Sequence, residues 1–251
     1  MDRDALRKHL TASRLAGAVA TGRATNLKAI RQLLLNTDDD WFGLTPRRDY
    51  SFYEVLRILS ERCGVYADPA LTEGADRIDP ELTLAAIDAS ATRLAQAARG
   101  KESVFAGTGH PIGVSGIYGP VLAALRRAGC RVLTPQGGLR IDCDGGGRTL
   151  RYADNVALLS RHGFVRHSHS PAPMQALLAG GLAPDLVIAD HGWAGAAGQA
   201  GLDVLSFADC NDPALFVAAE EGTVGVVVPL DDNLRGPNYQ PITATLLAAI
   251  S

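Results

Sequence analysis

Histidine and aspartate residues recur in the second half of this 251-residue chain, each close to the end of a short apolar segment. The candidates for catalysis are His110, Asp190, His191 and Asp209. Histidine has an unperturbed pKa of about 6.5, so its ring gives and takes protons near neutral pH. A neighbouring carboxylate can orient the ring or bind a divalent ion. These residue types predict a site in which a histidine acts as nucleophile or general acid and an aspartate supports it.

A glycine-rich segment over residues 107–116 lies between a predicted strand and a predicted helix. Its candidates for substrate binding are Thr108, Gly109 and Ser115. Glycine lets backbone N–H groups approach an anion, and a helix N-terminus adds partial positive charge. The segment is therefore a candidate phosphate-binding loop, although it lacks the lysine of a Walker A loop and the spacing of a dinucleotide fingerprint. A tight turn without a ligand is the alternative.

A divalent metal is a possible cofactor, and its possible ligands are His169, Asp190 and Asp212. His167 and His169 are alternate residues of an extended segment, so their rings point the same way and can bind a metal or share proton transfer. The alternative is a pair of surface histidines beside a helix cap. Asp212 precedes Pro213 and is also the natural cap of the next helix.

The remaining candidates for substrate binding, with His169, are Arg23, Asn26, Trp193, Asn211 and Asp232. A guanidinium can grip a phosphate through two hydrogen bonds, and an indole can stack on a ring. The same residues also fit structural roles, which are helix capping for Asn26, core packing for Trp193 and a solvated acidic turn for Asp232.

The pattern from residue 101 onward predicts an α/β fold, in which a mainly parallel sheet is flanked by helices. Short apolar runs alternate with helical segments, and the predicted strands cover 104–106, 131–134, 185–189, 204–208 and 224–228. One β-hairpin insertion is predicted from strands over 139–143 and 149–152. Because the carboxyl ends of parallel strands share one edge, the polar groups that follow these strands should meet in one pocket.

The first hundred residues predict a helical N-terminal region that packs on the same sheet, so residues 1–251 form one domain with sub-regions 1–100 and 101–251. Ser51 and Glu54 make a capping box. Asp79 and Pro80 open a further helix. Residues 21–26 precede a predicted helix, which Thr25 or Asn26 is expected to cap.

Composition restricts the function classes. A formal net charge of −3 and a pI near 6.1 argue against a nucleic-acid partner, which needs a basic face. No apolar run is long enough for a membrane span, and the charged start does not fit a secretory signal, so a cytoplasmic protein is expected. The four cysteines show no C-x-x-C spacing and are expected to be reduced.

Several of these segments together resemble a family of bacterial, largely actinobacterial, small cytosolic proteins with the generic name phosphatase. The resemblance rests on residues 108–111, 169–171, 185–207, 208–217 and 229–233, with Arg23 and Asn26 in front. It covers most of the chain and implies phosphatase activity. Ala172 departs from the family pattern, in which an acidic residue is usual.

The leading hypothesis is hydrolysis of a small phosphate monoester of the sugar-phosphate or nucleotide type, so the expected partner is a small phosphorylated metabolite. The chain has no D-x-D-x-T/V nucleophile motif and no C-x5-R loop. The alternatives are an isomerase or transferase acting on a phosphorylated sugar or nucleotide, and a non-catalytic protein that binds a phosphorylated metabolite.

Overall fold

The computed structural model describes residues 2–35 and 40–250. The helices over these residues are α1 Arg3–Ala12, α2 Arg23–Leu33, α3 Phe52–Arg62, α4 Pro80–Gly100, α5 Ser115–Arg127, α6 Ala172–Ala179, α7 His191–Gln199, α8 Pro213–Glu220 and α9 Gln240–Ile250. The strands are β1 Gly17–Gly22, β2 Ala75–Ile78, β3 Ser103–Gly107, β4 Arg131–Val132, β5 Arg140–Cys143, β6 Gly146–Ala153, β7 Val156–Arg161, β8 Phe164–Arg166, β9 Leu186–Ala189, β10 Val204–Ala208 and β11 Val226–Pro229.

The central sheet has the order β11-β10-β9-β3-β7-β6-β5, with β4 paired to β3 and β8 to β7. Strands β11, β10, β9, β3 and β7 run parallel to their neighbours in this series. Every residue of β3, β9 and β10 is buried, as expected for parallel strands that helices cover on both faces. The predicted α/β class with a mainly parallel sheet is confirmed.

The insertion is larger than the predicted hairpin. Strands β5 to β8 form an antiparallel meander, and β7 joins it to the parallel part through a pair between Gly107 and Ala157. Asp154 and Asn155 make the β6–β7 turn with φ values of 48° and 67°, the left-handed conformation that a tight hairpin requires. The strand predicted over 131–134 is shorter than expected and ends at Val132.

The N-terminal part is not wholly helical, because β1 and β2 form a small antiparallel sheet. Arg14 and Gly17 have φ values of 62° and 80°, so the chain turns after α1 and continues into β1. The capping box at Ser51 is confirmed. The predicted cap of α2 is wrong, since that helix begins at Arg23 and Gly22 occupies the cap position without a side-chain bond.

Helix α2 packs against α3 and α8, at the edge of the sheet where the parallel strands end. In the two described stretches no helix combines the length and apolar character that crossing a bilayer demands.

Candidate functional site

Polar residues that follow β3, β8, β9, β10 and β11 line one cavity of about 560 Å³ at the carboxyl edge of the sheet. Those lining the cavity are His110, His167, His169, His191, Asp209, Asn211, Asp212, Asp231, Asp232 and Asn233. The structure thus brings together three of the four candidates for catalysis. The fourth, Asp190, lies directly behind the cavity wall.

Asp190 is fully buried and anchors the glycine-rich loop to the end of β9. Its Oδ1 accepts a hydrogen bond from the Gly109 N–H at 2.6 Å, and its Oδ2 accepts from the hydroxyls of Thr108 at 2.6 Å and Tyr118 at 3.1 Å. It occupies the cap position of α7 but its side chain caps nothing. Burial raises the pKa of Asp190 against the lowering effect of the adjacent His191. Because its oxygens are taken, the predicted metal ligation by Asp190 does not fit this arrangement.

His191 stands at the centre of the site and is almost completely buried. Its Nε2 lies 3.2 Å from Asp212 Oδ2 and 3.5 Å from Asp232 Oδ2, and its Nδ1 lies 3.6 Å from Asp190 Oδ1. Burial disfavours the charged ring, but these carboxylates outweigh burial and raise the pKa of His191 well above its usual value. Its φ of 44° is unusual for a residue other than glycine and marks local backbone strain at the strand end.

Three further imidazoles surround His191. Ring centroids lie 4.4 Å from it for His110, 5.3 Å for His167 and 4.4 Å for His169. His110 is half-buried, and its Nδ1 lies 3.4 Å from Asp232 Oδ2. Protein atoms around the rings restrict their hydration, and this and then His191 lower the pKa to about 2 for His110 and to about 4 for His169, and also lower that of His167. These three rings are neutral at pH 7, so they can bind a metal or, where a bound anion raises their pKa, accept a proton.

The carboxylates of the site differ in environment. Asp209 accepts a hydrogen bond from the Thr21 hydroxyl, yet burial and then the charge of Asp232 raise the pKa of Asp209 well above its usual value. Burial also raises the pKa of Asp232, to about 7. For Asp212 burial acts in the same direction, but the neighbouring His191 outweighs it and lowers the pKa. Asp212 therefore keeps its negative charge.

Among the residues that the structure describes, two sets of side chains place their ligand atoms close enough to share a metal ion. The first is His110, His167 and His191, and the second is His169, His191 and Asp212, each with atoms within 4.8 Å of one another. Asp212 sits at the cap position of α8, but its side chain makes no capping bond and is free to serve the site.

Six predicted binding residues do not line the cavity, namely Arg23, Asn26, Thr108, Gly109, Ser115 and Trp193. Arg23 is fully buried and donates to Asp76 Oδ2 at 2.9 Å and to the carbonyls of Leu71 and Asp68, both at 3.0 Å, so it is not available as an anion clamp. Asn26 is also buried and donates to Asp76. Trp193 packs in the core against Phe105 and under Gly107, and Ser115 donates to the carbonyl of Pro111.

The glycine-rich loop does not offer its first amides to an anion. The N–H of Thr108 donates to the carbonyl of Ala157, that of Gly109 to Asp190 and that of His110 to the Thr108 hydroxyl. A Cβ on Gly109 would lie 2.2 Å from the carbonyl oxygen of Ser168, so glycine is needed here for close approach of two chain segments. This first part of the loop positions His110, and its three amides do not contribute to the predicted phosphate cradle.

Helix α2 forms the opposite wall of the cavity. The sequence predicted this helix but not that its polar face contributes to the site. Thr25, Lys28, Ala29 and Gln32 line the cavity and follow the i, i+3, i+4, i+7 spacing of one helix face. That spacing is visible in the sequence beside the apolar face of the same helix. Phe42 also lines the cavity, with ring centroids 5.3 Å from those of His169 and His191.

A family model described as Phosphatase matches residues 1–251. A Streptomyces coelicolor protein named Phosphatase SCO2771 is 44% identical over 249 residues, which cover 96% of this chain and 94% of that protein. Both names indicate phosphatase activity in general, and neither specifies a substrate.

Proposed function

Since the chain belongs to the Phosphatase family, as the sequence resemblance predicted, we propose that it hydrolyses small phosphate monoesters in the cavity at the carboxyl edge of the sheet. The observation that carries this proposal is the cluster of four histidines at the cavity, in which His110 Nδ1 lies 3.4 Å from Asp232 Oδ2. A neutral imidazole can act as general base for water, and the negative charge of a bound ester would raise the low pKa of His110 toward the working range.

The different accessibility of His110 and His191 indicates a different role for each in the reaction. His110 is half-buried at the cavity surface, so it can reach a bound ester, whereas His191 is enclosed by carboxylates. In the proposed reaction His110 accepts a proton from water as its oxygen bonds to phosphorus. The phosphorus–oxygen bond to the alcohol then breaks, the alkoxide takes up a proton from solvent and His110 releases its proton to solvent, so the products are inorganic phosphate and the free alcohol. Asp190 is a positioning residue, because it acts through the loop that holds His110.

The cavity also limits the substrate. Its volume of about 560 Å³ fits a molecule of sugar-phosphate or nucleotide size. The α2 wall carries Thr25, Lys28 and Gln32, and Asn211 and Asn233 add further polar groups. These groups can bind hydroxyl or anionic groups on the alcohol part of the ester. We therefore propose that the substrate is a small, polar phosphorylated metabolite.

A panel of phosphate esters tests this function. We expect inorganic phosphate release from at least one sugar phosphate or nucleotide when the purified chain is assayed with Mg²⁺, Mn²⁺ or Zn²⁺. Free phosphate should inhibit the reaction competitively, because product and substrate share the site. Absence of phosphate release from every ester and with every metal would reject hydrolysis.

Lys28→Ala tests the α2 wall. Lys28 is exposed, and among the described residues that line the cavity it is the only lysine or arginine. Loss of one charge-assisted hydrogen bond, worth about 1.5 kcal/mol, predicts a KM about tenfold higher with little change in kcat. Steady-state kinetics on the best ester of the panel measure it, and Lys8→Ala on α1 is the matched control. An unchanged KM would remove α2 from the substrate site.

A further inference from the structure

Two buried carboxylate oxygens at the site accept no hydrogen bond from the described residues. Asp212 Oδ2 and Asp232 Oδ2 lie 3.2 Å and 3.5 Å from the same nitrogen, His191 Nε2, and yet neither contact has hydrogen-bond geometry. The two aspartates are only 4% and 3% exposed. A buried carboxylate oxygen without a hydrogen bond is costly, and a metal ion that displaces the His191 proton would satisfy these atoms.

The separations fit atoms that share a metal ion. Nitrogen and oxygen ligands lie about 2.0 to 2.2 Å from Zn²⁺, so at tetrahedral angles they are about 3.4 Å apart. His169 supplies a further nitrogen, and the ligand atoms of His169, His191 and Asp212 all lie within 4.8 Å of one another. Two imidazoles and one carboxylate are a usual ligand set for a catalytic metal, and a fourth position stays open for water or substrate.

The competing set of His110, His167 and His191 has no carboxylate. All three of its ligand atoms are imidazole nitrogens, so it supplies no negative charge to a divalent cation. The set with Asp212 also has further carboxyl groups nearby, because Asp209, Asp231 and Asp232 are buried at the same cavity. A metal cation at this pocket would offset the repulsion between these carboxylates and a phosphate ester.

We propose that His169, His191 and Asp212 bind one divalent transition-metal ion, such as Zn²⁺, with its open position toward the cavity. This deepens the proposed function, on which it rests for the role of the ion, because a bound dication would hold the phosphoryl oxygens next to His110. Asp232 would lie beside the ion, since its Oδ2 is 3.5 Å from His191 Nε2 and 3.4 Å from His110 Nδ1.

Zn²⁺ binding to the chelator-treated full chain tests the site directly. Isothermal titration with zinc chloride should show one ion per chain. His169→Ala should raise the Kd at least about tenfold, because it removes one ligand. His169 is exposed, so this variant should keep the parental unfolding midpoint, and Asp212→Asn should weaken binding as well. His162→Ala, in the exposed turn between β7 and β8, is the control and should bind like the parent.

Absence of zinc binding, or a parental Kd for His169→Ala, would overturn the site. A Kd that rises in His167→Ala but not in His169→Ala would place the ion in the other set and overturn it too. Zinc binding with the expected variant pattern supports the site even if no ester is hydrolysed, and in that case only the phosphatase proposal fails. Phosphate release by the chelator-treated chain, with no ion bound, keeps the phosphatase and overturns the role of the ion.

Discussion

Replacing His110 by asparagine is expected to lower kcat/KM for phosphate-ester hydrolysis by about 10²- to 10⁴-fold, the usual contribution of a general base. Asparagine keeps a polar side chain but cannot accept a proton from water at neutral pH. The backbone N–H of His110 still donates to the Thr108 hydroxyl, so the loop keeps its conformation. Initial rates of phosphate release on the best ester measure the effect, and the unfolding midpoint should stay close to the parent value.

His162→Asn is the matched control for this prediction. His162 lies in an exposed turn with a φ of 53°, a conformation that asparagine adopts more readily than most residues, so the variant should fold normally. It should also hydrolyse at the parental rate, because it lies outside the cavity. A His110→Asn protein with the parental rate would show that another group accepts the proton.

Arg23→Met is expected to lower the free energy of unfolding by about 3 to 5 kcal/mol, the cost of breaking a buried ion pair from one side. Arg23 and Asp76 are both fully buried, with 2.9 Å between Arg23 Nη1 and Asp76 Oδ2. Methionine fills part of the volume but leaves the Asp76 charge without its cation. The carbonyls of Leu71 and Asp68 lose their donors as well. Urea unfolding followed by circular dichroism measures the change.

Arg57→Met provides the comparison, since Arg57 pairs with Glu61 on the exposed face of α3. A surface pair at this spacing contributes about 0.3 to 0.5 kcal/mol, so this variant should unfold close to the parent. A change below about 1 kcal/mol for Arg23→Met would mean that the buried pair contributes little beyond what an apolar side chain supplies. Arg23 would then be a replaceable packing group.

Much of the fold could be predicted because its signals are local. The fully apolar runs of β3, β9 and β10 correspond to buried parallel strands, and the capping residues Ser51 and Asp79 act on groups within three residues of themselves. The elements that the sequence analysis missed were also missed because of local features of the chain. Strand β7 has a buried run behind the turn at Asp154 and Asn155, and that turn was not recognised.

For the candidate site, the grouping of its residues could be predicted from the sequence, but their individual roles could not. Its histidines and acids could be predicted as a group, since parallel strands deliver their carboxyl ends to one edge and whatever follows them must meet there. The role of each residue could not be predicted. Asp190 and Asp212 have the same position at the start of a helix, but one is bound to Thr108 and Gly109 while the other points an unpaired oxygen at His191.

The sequence by itself thus determined the buried parallel strands, the chemistry of the residues at their carboxyl ends and the family. Tertiary structure alone decided that Arg23 is a buried partner of Asp76, 53 residues away, and that α2 turns Lys28 toward the cavity. The reason is that a strand or a cap depends on neighbours in the chain. The availability of a polar atom for substrate depends instead on which distant groups have already satisfied its hydrogen bonds and charge.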